Sequence, residues 1–368
     1  MCYNLNMSNI ETTILRSENN LYEYKPVVTP INYPLIRYMG SKYKLLEWIN
    51  SELSQLEFNT VLDGFSGSGA VSYMLKKMNK TVYTNDFLHF SYILAKATTE
   101  NSFQRISEND LIILHEHNDK TPDFIQKTFT GIFYTEDELK YLDMISYNIK
   151  KLSNQYKKSV AMSALIRSCI KKQPRGVFTI SGNMEKYNDG RRDLRLTVKE
   201  HFLEQVKVYN GVVFNNSNKN KAFYGDIFEF NNKIYNPDLV YLDPPYVPRS
   251  DDNCYVKRYH FLEGLSKYWK NEEIDFNTKV HKIKKKYTPF SYRKTAISAF
   301  DELFDKFKNS IIVLSYSSNG YPDLSVLEEL LGKYKKNVAI KKKNHKYHFG
   351  NHKSVKRSNV EEYLIIGR

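Results

Sequence analysis

The sequence predicts an α/β fold with a doubly wound, mostly parallel sheet. Three observations support this prediction. Short apolar segments alternate with segments that carry apolar residues at helical spacing, a pattern typical of strands joined by helices. A glycine-rich turn directly follows the first of these strands. Two extended segments near the carboxyl end are expected to pair as an antiparallel hairpin.

The predicted elements begin after residue 30. Residues 1–30 are polar and unpatterned, and we interpret them as an N-terminal arm. A turn and a helix follow in PLIRYMGSKYKLLEWINSEL, and NTVLDGFSGSGAVSYMLKKM then predicts a strand, a glycine-rich turn and a second helix. The segment KTVYTNDF repeats this arrangement with a strand that ends at Asp86. The sequence therefore predicts two consecutive βα units.

The remaining strands come only after a long, mostly helical stretch. Residues 96–219 are too numerous for an ordinary crossover connection of an α/β sheet, so we expect them to form an inserted domain. Strand candidates resume with AFYGD, DLVYLD, SIIVLSYS and VEEYLIIG, and the last is expected to pair with NHKYHFG. The main domain is therefore predicted to comprise residues 31–95 and 220–368, with a basic insertion at residues 250–295.

Composition limits the classes of function. The chain has 368 residues, with 55 Lys and Arg against 41 Asp and Glu, so its net charge is +14. This charge favours a polyanionic partner such as nucleic acid, although a basic protein without such a partner has the same composition. The three cysteines have no paired spacing, so neither a disulfide framework nor a metal site is predicted. No segment resembles a membrane span or a signal peptide, which predicts a cytoplasmic protein.

The glycine-rich turn has the composition of a cofactor site. Gly64, Gly67 and Gly69 lie between a strand and a helix, where missing side chains let a ligand approach backbone N–H groups. Asp86 ends the following strand, where a carboxylate can accept hydrogen bonds from ribose hydroxyls. Ser72 stands where a dinucleotide-binding fingerprint has its third glycine. The pattern indicates a nucleoside-containing cofactor, but a purely structural turn accounts for these residues equally well.

The segment LVYLDPPYVPRS is the most specific feature of the chain. An apolar strand ends there in Asp243, Pro244, Pro245 and Tyr246. Two consecutive prolines fix their own φ angles and push the preceding residue towards extended conformations. The acid and the aromatic residue are therefore predicted to lie in a stiff loop. A proline-rich turn without any function is the alternative interpretation.

Five motifs occur together in one order: IRYMGSKYKLL, DGFSGSG, TNDF, YGD and LDPPY. In this set and order the chain resembles the Dam-like, α-group DNA adenine-N6 methyltransferases, in which the DPPY motif follows the target-recognition domain. The resemblance implies a seven-stranded methyltransferase sheet with a C-terminal antiparallel hairpin, and a target-recognition role for residues 96–219. It also implies S-adenosylmethionine as the cofactor and double-stranded DNA as the substrate, with a separate cognate restriction endonuclease as a candidate partner.

The resemblance also assigns residues to the site. The aromatic residue and the lysine of the first motif fall on Tyr38 and Lys42, and the acid of the glycine motif falls on Asp63, where close relatives often have Glu. Asp86 corresponds to the ribose ligand, and Asp226 to the acid that approaches the cofactor's adenine. The residues implied for cofactor binding are Tyr38, Gly40, Lys42, Asp63, Phe65, Gly67, Gly69, Asp86 and Asp226. The residues implied for catalysis are Asp243, Pro244, Pro245 and Tyr246.

The chemistry of the reaction explains the DPPY loop. The N6 amine of adenine is a poor nucleophile because its lone pair is delocalised into the ring, so methyl transfer needs acceptors that hold the amine hydrogens. Asp243 is expected to supply one acceptor and the Pro244 carbonyl the other. Preorganised groups of this kind stabilise charge where it develops in the transition state, by about 3–4 kcal/mol for one group. Tyr246 offers a face on which an extruded adenine can stack.

Two basic regions are candidates for contact with DNA. The first lies in IRSCIKKQPRGVFTISGN and YNDGRRDLR and comprises Lys171, Lys172, Arg175, Arg191, Arg192 and Arg195. The second is the run KVHKIKKKYTPFSYRK within the basic insertion. Lysine and arginine at such positions can bind phosphates or guanine edges, but a solvated surface charge is the alternative for each.

Two other functions remain open at the level of sequence. Related PPY loops serve RNA or protein N-methyltransferases, and a methyltransferase scaffold can also act as a catalytically silent DNA-binding protein. Asp rather than Asn or Ser before Pro244 counts against the first alternative. The intact set of motif residues counts against the second.

Overall fold

A mixed sheet lies at the centre of the computed structural model, which describes residues 32–174, 176–179, 190–248, 255–346 and 359–368. The predicted N-terminal arm lies outside these residues. The strands are β1 (Thr60–Asp63), β2 (Thr81–Asp86), β3 (Lys221–Tyr224), β4 (Leu239–Leu242), β5 (Val247–Pro248), β6 (Ile274–Asp275), β7 (Lys282–Ile283), β8 (Ile311–Ser317), β9 (Gly320–Tyr321), β10 (Val338–Lys346) and β11 (Asn359–Gly367).

Seven of these strands form the central sheet, in the order β10-β11-β8-β4-β1-β2-β3. The pairs formed by β8, β4, β1, β2 and β3 are parallel, whereas β11 is antiparallel to both of its neighbours. The mostly parallel sheet and the C-terminal antiparallel pair predicted from the sequence are thus confirmed. The remaining strands form two short hairpins, β5 with β9 and β6 with β7.

The strand β10 begins earlier than the sequence predicted. The predicted segment NHKYHFG starts at residue 344, whereas β10 already starts at Val338 and pairs there with Gly367. Three consecutive lysines in this part of the strand conceal the alternation expected of a half-buried strand. An edge strand tolerates them because its outer side has no neighbour. Residues 347–350 of the predicted segment lie outside the described residues.

Helices cover both faces of the sheet. They are α1 (Leu46–Leu53), α2 (Ala70–Lys77), α3 (His89–Ala95), α4 (Glu108–His115), α5 (Phe124–Phe129), α6 (Glu136–Lys151), α7 (Gln155–Lys172), α8 (Arg192–Arg195), α9 (Val198–Val212), α10 (Asn232–Tyr235), α11 (Tyr255–Lys267), α12 (Arg293–Lys306) and α13 (Leu324–Gly332). None of the helices in the described ranges is long and apolar enough to cross a membrane.

The central strands are buried on both sides, and successive residues therefore enter different cores. Val61 of β1 belongs to a hydrophobic cluster with helices α1, α2 and α7, whereas Leu62 belongs to a second cluster with α12 and α13. In β4, Leu239 and Tyr241 enter the first cluster, and the residues between and after them enter the second. This alternation is the physical basis of the doubly wound architecture.

Between β2 and β3 the chain is mostly helical in its described parts, as the sequence predicts. The two longest helices of this stretch, α6 and α7, begin with good caps: Thr135 accepts a hydrogen bond from the Glu138 N–H, and Asn154 from the Tyr156 N–H. The buried faces of α6, α7 and α9 join the same hydrophobic cluster as α1 and α2. The helical stretch therefore packs on one face of the sheet.

Candidate active site

A cleft lies at the carboxyl edge of the sheet, where β1, β2 and β4 end side by side. Because β1 pairs with β2 on one side and with β4 on the other, the acids that end these strands meet there. Nine residues predicted from the sequence line this cleft: Tyr38, Gly40, Lys42, Asp63, Phe65, Gly67, Asp86, Asp243 and Pro245. Residues that are far apart in the chain are thus brought together in one cleft.

Four predicted residues lie beside the cleft without lining it. Gly69 caps α2 with a φ of 80°, and a Cβ there would lie 2.6 Å from the Tyr33 hydroxyl oxygen. Pro244 is buried, and the ring centroid of half-buried Tyr246 lies 5.2 Å from that of Tyr316. Asp226 is exposed, and its carboxylate accepts a hydrogen bond of 3.0 Å from the Phe228 N–H.

The glycine-rich turn is held open by a backbone conformation that few other residues adopt. Gly67 has a φ of 50°, and a Cβ on it would lie 3.0 Å from the ring of Tyr38. The Tyr38 ring is itself stacked on that of Tyr259 in α11, with centroids 5.2 Å apart and planes 2° apart. The aromatic residue of the first motif therefore covers the turn and is fixed by α11.

Asp86 binds the backbone of the turn. Its Oδ2 accepts a hydrogen bond of 2.7 Å from the Gly67 N–H, and its Oδ1 accepts one of 2.8 Å from the Leu88 N–H. Burial raises the pKa of Asp86 to about 7, and the backbone hydrogen bonds oppose this rise. Each carboxylate oxygen keeps a second lone pair, so Asp86 can still accept hydrogen bonds from a ligand.

Asp63 has one satisfied and one unsatisfied oxygen. Its Oδ2 accepts a hydrogen bond of 2.5 Å from the Ser72 hydroxyl, whereas its buried Oδ1 has no hydrogen-bond partner. Burial raises the pKa of Asp63 to about 7, and the nearby negative charge of Asp243 adds to this. Ser72, which departs from the dinucleotide fingerprint, therefore has a function of its own in this turn, as the donor to Asp63.

The DPPY loop, Asp243 to Tyr246, begins directly after β4. Asp243 is 19% exposed, and its Oδ1 lies 3.0 Å from the Nζ atom of Lys42, which is itself 3% exposed. Burial raises the pKa of Asp243 to about 6, although the charge of Lys42 and its hydrogen bond lower it. Beyond Tyr246, the pairing of Val247 with Tyr321 ties the end of the loop to β9. The loop is therefore fixed at both ends by strands, and the Asp243 side chain is fixed by its ion pair with Lys42.

A family model of the D12 class N6 adenine-specific DNA methyltransferases matches residues 38–318 of this chain, a span that contains the residues lining the cleft and the whole DPPY loop. The chain belongs to this family. It is accordingly an adenine-specific DNA methyltransferase, as the resemblance of its motifs predicted.

Individual relatives are also named as methyltransferases or modification methylases. The chain is 30% identical to the type II methyltransferase M2.HphI of Haemophilus parahaemolyticus, over 86% of this chain and 92% of that protein. It is 27% identical to the modification methylase StsI of Streptococcus sanguinis over 90% of this chain, and 28% identical to the type II methyltransferase M.FokI of Planomicrobium okeanokoites over 77%. These alignments cover 51% and 45% of the two relatives, so the chain spans about half of their length.

Sequence reasoning about this D12 class methyltransferase missed Glu362. This residue of β11 is buried, and its Oε2 lies 3.7 Å from the Nζ atom of Lys42. A signal for it exists in the segment VEEYLIIG, because side chains of a strand alternate between its faces and one of two adjacent glutamates must point inwards. Tyr255 and Tyr259, which stack near Tyr38, had no such signal, because only the fold places α11 beside the first motif.

Most of the basic residues predicted for target recognition form ion pairs or hydrogen bonds with other residues of this chain. Lys171 lies 2.7 Å from Asp193, and Lys172 lies 3.3 Å from Glu138. Arg191 donates a hydrogen bond to the Pro174 carbonyl, and Arg192 forms an ion pair with Glu204. Arg195 is exposed, and Arg175 lies outside the described residues. Several of these charges therefore hold the short helix α8 against α7 and α9.

The lysine run after α11 is also paired in part. Lys284 lies 3.1 Å from Glu273, with both side chains largely exposed. Lys286 lies 2.9 Å from Glu272, which also forms an ion pair with Lys267. These contacts join the strand β7 and the residues after it to the end of α11.

Proposed function

We propose that this D12 class methyltransferase transfers a methyl group from S-adenosylmethionine to the N6 atom of an adenine that has swung out of a specific double-stranded DNA sequence. The proposal assigns the acceptor for the amine hydrogens to Asp243. The observation that carries it is the position of Asp243 at the carboxyl end of β4, in one cleft with Asp63 and Asp86. A base acceptor and two candidate cofactor ligands thus share one site.

The charge of the cleft fits a cationic cofactor. S-adenosylmethionine carries a sulfonium and an ammonium group, and when bound it would supply the methyl group. Asp63 and Asp86 are both buried, and the Oδ1 atom of Asp63 has no hydrogen-bond donor. A buried carboxylate oxygen without a donor is costly, by about 1–3 kcal/mol, and an ammonium group would satisfy it. We therefore assign Asp63 to the charged end of the cofactor and Asp86 to its ribose.

Other residues complete the proposed cofactor site. Tyr38, Gly40, Phe65 and Gly67 line the cleft, and Gly69 leaves room for the Tyr33 hydroxyl beside the turn. Lys42 also lines the cleft, where its ion pair directs it to Asp243. Asp226 does not line the cleft, and its Oδ1 accepts a hydrogen bond from the Phe228 N–H. Its carboxylate retains acceptor capacity for the cofactor's adenine, to which we assign it.

The catalytic loop is suited to hold an amine. Asp243 is the stronger acceptor for a hydrogen bond from N6 when it is ionised. A pKa of about 6 leaves it mostly ionised at neutral pH. We propose that the Pro244 carbonyl accepts the second amine hydrogen, and that the adenine stacks on Tyr246. The two prolines limit the entropy that this loop loses when the base binds. Since N6 of a paired adenine is engaged with thymine, the base has to leave the duplex first.

The wider assignments are proposals of the same kind. We propose that residues 96–219 include the target-recognition domain and that the basic insertion, residues 250–295, borders the DNA. The names of the relatives describe type II methyltransferases and modification methylases, and on that basis we propose a separate cognate restriction endonuclease as a partner of this chain.

The test uses methyl transfer to different polymers. The protein is incubated with S-adenosylmethionine labelled on its methyl group and with separate pools of double-stranded DNA and RNA, and the modified base is located by sequencing. We expect label on N6 of adenine in one DNA sequence. Label on cytosine N4, label on RNA alone, or no transfer by a protein that binds DNA would each contradict the proposal.

A second test addresses the extruded base. 2-Aminopurine at the target position is expected to brighten on binding, because it leaves its stacked neighbours. A duplex with an abasic position opposite the target should bind more tightly than the matched one, since extrusion then costs less. Equal affinity for the two duplexes, without brightening, would contradict base flipping.

A further inference from the structure

Glu362 is a buried acid that the proposed reaction does not use. It lies in β11, directly opposite Ser317 of β8 and Lys343 of β10. Its side chain is fully buried, and neither of its oxygens has a hydrogen-bond partner. An ionised carboxylate in such a place is costly unless an opposite charge is close. The residue therefore needs a compensating cation.

Lys42 provides that cation. Its Nζ atom lies 3.7 Å from Oε2 of Glu362 and 3.0 Å from Oδ1 of Asp243, so one ammonium group lies between two carboxylates. Each of the three groups comes from a different part of the chain: the turn before α1, the loop after β4, and the last strand. Only the folded sheet brings them together.

The net charge of Lys42, Asp243 and Glu362 determines how strongly Asp243 accepts a hydrogen bond from the amine. With Lys42 alone, the pair would be neutral, and the ammonium would attract the electrons with which Asp243 binds an amine hydrogen. With Glu362 present, two negative charges face one positive charge. Methyl transfer makes the adenine nitrogen cationic, so a site with net negative charge stabilises the transition state more than a neutral one.

We propose that Glu362 is a positioning residue for methyl transfer: by pairing with Lys42, it offsets the charge of the ammonium group beside Asp243 and keeps the acceptor site negatively charged. The inference rests on the proposed role of Asp243. It assigns no contact between Glu362 and the substrate. Glu362 acts through Lys42, on the acid that accepts the amine hydrogen.

Other titratable groups face this cluster and belong to any account of its pH dependence. They are Asp63 of β1, Tyr241 of β4, Tyr246 of the catalytic loop, Tyr255 of α11, and Lys343 and His345 of β10. Burial lowers the pKa of His345, so this ring is neutral at neutral pH. The charge of Glu362 raises the pKa of Asp243, whereas that of Lys42 lowers it. Removing Glu362 should therefore lower the pKa of Asp243.

The test is the substitution Glu362→Gln, with Glu361→Gln as the matched control. Glu361 is the neighbouring residue, and its exposed side chain accepts a hydrogen bond from Tyr363 away from the cluster. We expect Glu362→Gln to lower kcat roughly ten- to a hundredfold, by analogy with the loss of a partner that orients a metal ligand, with KM for DNA almost unchanged. The acid limb of the pH–rate profile should move to lower pH. Glu361→Gln should alter neither quantity.

The pH profile separates this role from a structural one. A substitution that only lets Lys42 drift away would leave Asp243 without its cation, and the acid limb would move to higher pH. An unmoved limb or a limb at higher pH therefore overturns the inference. If Glu362→Gln does not fold, Glu362→Asp keeps the charge on a shorter side chain. Glu362→Asp should lower kcat but leave the acid limb of the pH–rate profile in place. A shift of that limb towards lower pH would contradict the inference.

A double substitution tests whether Glu362 acts through Lys42. In a Lys42→Met background, Glu362→Gln should have little further effect on kcat, because the ammonium charge that Glu362 offsets is gone. Fully additive losses would overturn the inference. Failure of the underlying function is distinguishable: if Asp243→Ala retains methyl transfer, the role of Asp243 is wrong. If Asp243→Ala is inactive while Glu362→Gln behaves as the parent protein, only the role of Glu362 is wrong.

Discussion

The cleft and the lysine-rich segment after α11 differ in whether their charged groups have partners within the protein. In the cleft, Asp63 is buried with one oxygen that has no donor. In the lysine-rich segment, by contrast, Lys284 pairs with Glu273, and Lys286 with Glu272. Charged groups that pair with each other within the protein stabilise the fold. A buried charged group without a partner indicates where a ligand binds.

The two regions also differ in what their charges cost. A buried carboxylate oxygen without a donor costs about 1–3 kcal/mol of the free energy of folding. The pair of Lys284 and Glu273, whose side chains are 74% and 73% exposed, contributes about 0–1 kcal/mol. A protein retains the costly arrangement only where function requires it. We therefore expect substitutions in the cleft to affect activity strongly and those in the lysine run to affect it little.

The largest expected effect belongs to Asp243→Ala. It should lower the rate of methyl transfer by at least about 10²–10³-fold, because it removes a preorganised acceptor at the position where charge develops. DNA binding and base extrusion should remain. Single-turnover transfer of labelled methyl groups measures the rate, and 2-aminopurine fluorescence measures extrusion.

Asp238→Ala provides the control for this prediction. Asp238 precedes the same strand, at its other end, and its Oδ2 accepts hydrogen bonds of 2.8 Å from the Asn59 and Thr60 N–H groups. Its loss should lower the free energy of unfolding and leave the rate per folded molecule unchanged. Equal losses of rate in the two variants would mean that Asp243 only supports the strand.

The next effect concerns the affinity for the cofactor. Asp86→Ala is expected to weaken the binding of S-adenosylmethionine by about 1–3 kcal/mol, as lost hydrogen bonds to a charged group do. Isothermal titration calorimetry measures this. Asp226→Ala should have a smaller effect, because Asp226 is exposed outside the cleft. A larger loss in Asp226→Ala would show that this acid moves into the site when the cofactor binds.

Asp63→Asn should stabilise the protein without ligand, in a manner that depends on pH. Burial raises the pKa of Asp63 to about 7. The folded protein then holds this proton more tightly than the unfolded chain, so its free energy of unfolding falls as the pH rises from about 4 to about 7. The asparagine variant lacks this loss. It should be more stable by about 4 kcal/mol at pH 8 and almost equally stable at pH 4, since each pKa unit of the shift corresponds to about 1.4 kcal/mol.

Denaturant unfolding at the two pH values provides the measurement for Asp63→Asn. Ser72 should remain a donor to the amide oxygen of the new side chain, so the substitution changes chiefly the charge. A gain in stability of the same size at both pH values would mean that the charge of Asp63 is not the cause.

The smallest effects are expected in the lysine run. If Lys284 reaches a phosphate, Lys284→Gln should flatten the salt dependence of DNA binding by about 0.9 in log–log slope, and sequence preference should stay the same. Lys286→Gln should leave the slope unchanged and lower the free energy of unfolding by about 1 kcal/mol or less, because it breaks the contact with Glu272. Equal slopes for the parent and Lys284→Gln would remove this segment from the DNA interface.

The sequence by itself determined the local elements and the motifs. Hydrophobic alternation and turn residues are properties of neighbouring residues, so the strands, the glycine-rich turn and the stiff DPPY loop could be predicted from them. The parallel order followed, because strands joined by helices return in the same direction. For the same reason, the sequence alone indicates that the acids ending β1 and β2 lie at the same edge of the sheet.

Only the tertiary structure decided which charges meet. Lys42, Asp243 and Glu362 are separated by most of the chain, and their contacts depend on β11 inserting between β8 and β10. The same holds for Lys171 and Lys172, whose acidic partners lie on other helices. A charge in a sequence has no partner until folding brings distant residues within a few ångströms, because Coulomb attraction and desolvation depend on distance and burial rather than on position in the chain.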